Sequence, residues 1–234
     1  MQRYPVFVLR FVFAAMISGT FGVSTGMPAS LIEWAHVIVG IATIYLIIGL
    51  LMRSAVYREL RAPASIALLL ALTEAVPGLP RLHAAVSPVL FATLAWAAIA
   101  QSAKTATARG LRIFGLPALV GLAIIYGVGY RHAASGVALH IAAAMLAAGV
   151  LLCVCMILNQ NHPDDATLRG AANITVATVL FQIAAGTTAL VIRMLDINGG
   201  LALGLARTAH ITGAGLVLAA STVLAIRYRR KAIA

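Results

Sequence analysis

The chain is divided into long runs without a single Asp, Glu, Lys or Arg, and nothing else in it constrains the fold as tightly. These runs cover residues 11–32, 34–52, 62–73, 82–103, 113–130, 132–163, 170–192 and 208–226. A helix needs roughly 20 apolar residues to cross a bilayer. Helices satisfy their own backbone hydrogen bonds, which lipid cannot do for them. With 62% apolar and 10% charged residues, the chain stands far from the soluble average of about 25% charged. The expectation is an all-α polytopic membrane protein of eight crossings, with no second folded domain. The third run is the weakest, because Glu74 interrupts it and Pro77 and Pro80 close it. The opening Met1-Gln2-Arg3 and the apolar run after it read as a retained first crossing, since no small-residue cleavage site follows.

Charge distribution orients the spans. With eight crossings, one side holds Arg3, Arg10, Arg53, Arg58, Arg61, Lys104, Arg109, Arg112, Arg169, Arg227, Arg229, Arg230 and Lys231. The other holds Arg81, Arg131, Arg193 and Arg207. Thirteen against four is a strong positive-inside bias, so both termini are expected in the cytoplasm, the protein sitting in the inner (cytoplasmic) membrane. Omitting the third crossing would move Lys104, Arg109 and Arg112 outside. The net charge of +11 is then explained by topology, and the basic tail 227–231 by anionic lipid rather than nucleic acid. Cys153 and Cys155 lie inside an apolar run, no Cys-x-x-Cys-His is present, and packing accounts for the pair.

The histidines carry the chemistry. His132 and His162 fall in connections, whereas His36, His83, His140 and His210 lie one each on the second, fourth, sixth and eighth crossings. All four sit one to two turns from the outer end of an inward-running helix. One such histidine would be a helix-to-helix hydrogen bond; four at matched depth suit two haems, each iron taking an axial imidazole on either face. A four-histidine zinc or copper centre is the weaker reading, because no carboxylate stands ready to orient each ring. Arg207 precedes His210 by three residues on the same helix face, and with Arg81 and Arg131 forms an outer rim suited either to haem propionates or to snorkelling at the interface. Glu33 stands in the same relation to His36, and Glu74 is a second acid near an outer end, as a proton route or an interfacial residue. The arrangement divides into two four-helix halves, residues 1–105 and 106–234, each with one histidine pair.

Three segments, Glu33-Trp34-Ala35-His36, Gly127 to Ala138 and Phe181 to Gly186, are together similar to segments of the heme A synthase family, and the resemblance covers nearly the whole chain. It implies haem b held by His140 and His210. It also implies a substrate site at His36 and His83, where the methyl group of haem O is oxidised to the formyl of haem A beside the catalytic carboxylate Glu33. The chain departs from the family at Val23, where an arginine is expected, and in lacking an outer cysteine pair. Two other functions use the same ligands: a di-haem b-type cytochrome carrying electrons between quinol and a respiratory partner, and a haem-binding accessory subunit.

Overall fold

A computed structural model describes residues 3–25, 29–76, 78–100, 115–132, 136–195 and 200–231. The side chains of 23–25, 29–33 and 230–231 lie outside the description. The described residues form eight α-helices and no strand: α1 (Arg3–Thr25), α2 (Ala29–Arg53), α3 (Arg61–Glu74), α4 (Pro80–Ala100), α5 (Gly115–Arg131), α6 (Val137–Asn161), α7 (Ala166–Met194) and α8 (Gly200–Lys231). A 3-10 turn, Arg58–Leu60, leads into α3.

Six of these helices, α1, α2, α4, α6, α7 and α8, are long and apolar enough to cross a membrane. The two others are short. At a rise of about 1.5 Å per residue against a hydrocarbon core of about 30 Å, the 17 residues of α5 come close to spanning. The 14 residues of α3 do not.

Helix ends follow local chemistry. Pro5, Pro63, Pro80 and Pro117 fall in first turns, where the missing N–H would have no partner anyway. Asp165 caps α7, its carboxylate accepting from Leu168 N at 2.9 Å. Among the described residues, Pro88 alone sits inside a helix, α4, and removes one ladder hydrogen bond there. The turn between α3 and α4 uses Gly78 at φ 81, a left-handed conformation that only glycine adopts without strain.

Packing builds two closed rings. α1, α2, α3 and α4 touch in sequence and α4 returns to α1; α5, α6, α7 and α8 do the same, with α8 returning to α5. Among the described residues, the diagonal helices α2 and α4 are not close-packed, and neither are α6 and α8. The rings meet through α4 against α8, α1 against α8 and α4 against α5. Alanines at Ala64, Ala67 and Ala71 let α3 approach its neighbours closely. Val8, Ile47, Leu50, Leu90 and Leu94 fill the first ring, and Cys155, Leu158, Leu168 and Leu224 pack at one end of the second. Ile38, Tyr45, Leu69, Met145 and Ile174 face outward, the reverse of a soluble bundle and the arrangement that lipid favours.

Candidate functional site

The diagonals left open by helix packing are bridged by histidine rings. His36 on α2 meets His83 on α4 with ring centroids 5.9 Å apart and planes at 78°. His140 on α6 meets His210 on α8 at 6.0 Å and 79°. The four histidines on even-numbered helices therefore come together as the two pairs the sequence suggested, in nearly one geometry.

Each ring leans on the helix that precedes its own. His140 Nδ1 lies 3.2 Å from the Ala123 carbonyl of α5. His210 Nδ1 lies 3.4 Å from the Gln182 carbonyl of α7, and His83 Nδ1 3.4 Å from the Glu74 carbonyl that ends α3. A carbonyl can only accept, so these three contacts call for the proton on Nδ1, the tautomer that leaves Nε2 as the ligating nitrogen. His36 meets the backbone of Ala15 on α1, more loosely than the other three rings meet theirs, since its Nδ1 falls outside hydrogen-bond geometry.

The paired rings suit an axially ligated haem. Metal–imidazole bonds of about 2 Å on either side of an iron, with each ring centre about 1 Å behind its nitrogen, call for a centroid separation of about 6 Å. Both pairs have it. The helices that carry each pair are not close-packed among the described residues, and Nδ1–H bonded to a carbonyl is the usual way a ligating histidine is oriented. The residues therefore fit the group. The four histidines do not gather into one zinc or copper centre: they stand as two separate pairs, and the described residues contain no group of three or more His, Cys, Asp or Glu that could hold a metal ion.

The four arginines of the lightly charged side gather at one end of the bundle. Arg81 on α4 donates to the His132 carbonyl beyond α5 at 3.3 Å. Arg131 feels the charge of Arg207. Arg193 on α7 donates to the Tyr130 hydroxyl of α5 and lies over its ring, 5.5 Å from the centroid. At the opposite end, Arg53 lies 4.0 Å over the Tyr4 ring, and Arg227 donates to the Thr167 carbonyl at 2.9 Å.

Glu33 lies in α2 three residues before His36, with its side chain among those not described. Part of the segment around Val23 likewise falls outside the described residues. Glu74 is half-buried beside His83 and Ser87, and its Oε1 has no hydrogen-bond partner. Cys153 and Cys155 are free thiols, one exposed and one buried.

Two features of the site escape sequence reasoning. Tyr130 stacks almost parallel to His140, at 6.4 Å and 8°, which links Arg193 through Tyr130 to a paired histidine. Its signal was its place beside Arg131 in the Gly127 to Ala138 segment. The other is a set of glycines, Gly19, Gly127 and Gly186, each facing a histidine ring. A glycine on an odd helix, level with a histidine on the next helix, was the legible clue. No protein-family model matches the chain, and the search of curated proteins finds no match.

Proposed function

We propose that the protein is a heme A synthase-like membrane oxidoreductase of two four-helix halves, residues 1–105 and 106–234, in which the C-terminal pair His140 and His210 holds haem b and the N-terminal pair His36 and His83 receives haem O. The observation that carries the reading is the recurrence of one bridging histidine geometry, 5.9 Å and 6.0 Å, on the open diagonals of both helix rings. Haem held by these pairs would supply one-electron chemistry. The chain's own part is to present Nε2 on both faces, exclude water with the surrounding apolar helices and neutralise propionates with Arg81, Arg131 and Arg207. Glu33, one turn before His36, is the group to hold or move a proton beside the methyl carbon that becomes a formyl.

All eight helices cross the inner membrane in this reading, with both termini cytoplasmic. The packing of α3 between α2 and α4, and of α5 between α4, α6 and α8, supports it despite their length, because short spans are accommodated by local thinning of the bilayer. In the synthase reading dioxygen would be the oxidant. Two successive hydroxylations of the methyl group, each taking two electrons and two protons from a quinol or respiratory donor and releasing one water, would give a hydrate that loses water to the formyl. In the carrier reading the same partner only exchanges electrons with the haems.

A second reading, a di-haem b-type cytochrome or haem-binding subunit, is favoured by one observation: the two pairs are almost identical in spacing and angle, as two permanent sites would be. The deciding experiment is the haem inventory of purified protein by acid extraction and mass spectrometry. Haem O with haem A supports the synthase reading. Two stable haems b, with no haem A formed in membranes that lack another source, support the carrier. Loss of one low-spin signal is expected in His140→Ala and in His210→Ala, and unchanged haem content in both would overturn the ligand assignment.

A further inference from the structure

Three of the paired histidines meet the same feature on the preceding helix. A Cβ placed on Gly19 would lie 2.6 Å from Cε1 of His36. One on Gly127 would lie 2.8 Å from Cε1 of His140, and one on Gly186 2.7 Å from Cε1 of His210. Real Cβ atoms do not approach so closely, so these rings occupy the volume that any other residue's side chain would take. By contrast, Gly40, Gly121, Gly149 and Gly170 have nothing within 4 Å of the same position.

The register explains the choice. The carbonyl each ring is aimed at belongs to the residue four before the glycine: Ala15 before Gly19, Ala123 before Gly127 and Gln182 before Gly186. In an α-helix the residue four positions on donates its N–H to that carbonyl, and its Cβ stands beside the oxygen. Glycine there uncovers the oxygen's second lone pair, which can take another donor. His83 uses a different solution. Its acceptor, Glu74, ends α3, so no helical turn covers that carbonyl.

We infer that Gly19, Gly127 and Gly186 are positioning residues, sockets that seat His36, His140 and His210 against a helical carbonyl and thereby aim Nε2 across the diagonal. For His140 and His210 the seat also sets the tautomer, because Nδ1–H is bonded. For His36, whose contact with the Ala15 backbone is looser, the seat is chiefly one of shape. The inference rests on the haem reading for its purpose, while its geometry concerns the protein alone, and the test separates the two.

The first measurement uses haem-free full-length protein in nanodiscs with 15N-labelled histidine. Wild type is expected to show His140 and His210 with the proton on Nδ1, and Gly127→Ala and Gly186→Ala to lose that form for the ring each faces. Gly121→Ala and Gly149→Ala are the controls. A proton on Nε2 in wild type, or an unchanged tautomer in both socket variants, overturns the inference.

The second measurement is a thermal double-mutant cycle. Alanine is the better helix former, so Gly186→Ala should raise the midpoint in a His210→Ala background. It should lower the midpoint where the ring is present. A shift of the same sign in both backgrounds overturns the socket. In haem-loaded protein, Gly127→Ala and Gly186→Ala should each convert or shift the low-spin resonance of the C-terminal site. If wild type takes up no low-spin haem, the proposed function fails and the tautomer and cycle measurements still decide the sockets.

Discussion

The two pairs are anchored unequally, and in the proposed haem-binding function that difference predicts how readily each site would give up its haem. Both rings of the C-terminal pair have a carbonyl partner for Nδ1. In the N-terminal pair His83 has one, while His36 meets the Ala15 backbone more loosely, its Nδ1 outside hydrogen-bond geometry. An outer hydrogen bond to a ligating histidine is worth roughly 10- to 100-fold in metal affinity. A single neutral bond contributes about 1 kcal/mol, which places the deficit near the lower bound, about tenfold or about 1.4 kcal/mol. The perturbation is a challenge of purified protein with excess of a haem-scavenging apoprotein, followed by absorbance. Release should be biphasic, with the N-terminal haem leaving about ten times faster. His36→Ala should remove the fast phase and His140→Ala the slow one. Equal rates for the two sites, or assignment of the slow phase to the N-terminal pair, would refute the argument that Nδ1 anchoring governs retention.

Three further outcomes follow from the same residues. Accessibility labelling should find the 53–61 and 104–112 connections cytoplasmic and the connection between Arg193 and Arg207 external; an external 53–61 would sink the topology. Glu33→Gln should keep its haem content yet abolish conversion of haem O to haem A, and retained conversion would remove Glu33 from the chemistry. Asp165→Ala, which deletes the cap on α7, should cost about 1 kcal/mol in unfolding measurements while Asp165→Asn costs little; equal losses in the two would show that the carboxylate is not acting as a cap.

Much of the architecture is one-dimensional information. Charge-free runs must be helices in lipid whatever surrounds them, because the backbone has no other source of hydrogen bonds there. Hence the runs 34–52 and 170–192 fall within α2 and α7, and the described part of the run 82–103 falls within α4. The short run 62–73 became a short helix, α3 at Arg61–Glu74. The even-helix histidines were legible as a group because ionisable residues are rare inside apolar runs.

The amino-acid sequence by itself therefore determined the helices, their approximate ends and the four histidines at issue. Tertiary packing decided which ring faces which, since His36 and His83 belong to helices that are not close-packed and meet only because α1 and α3 stand between them on either side. It also decided the role of Gly19, Gly127 and Gly186. In a hydrophobic span a glycine reads as one more small residue, and only when a ring from the next helix fills the missing Cβ volume does it become a seat. The Arg193 to Tyr130 to His140 contact arises in the same way, from three helices whose ends share one surface. Helix formation is local and periodic, so it is written along the chain. The approach of two side chains from helices tens of residues apart depends on how whole surfaces fit, and that is settled only in three dimensions.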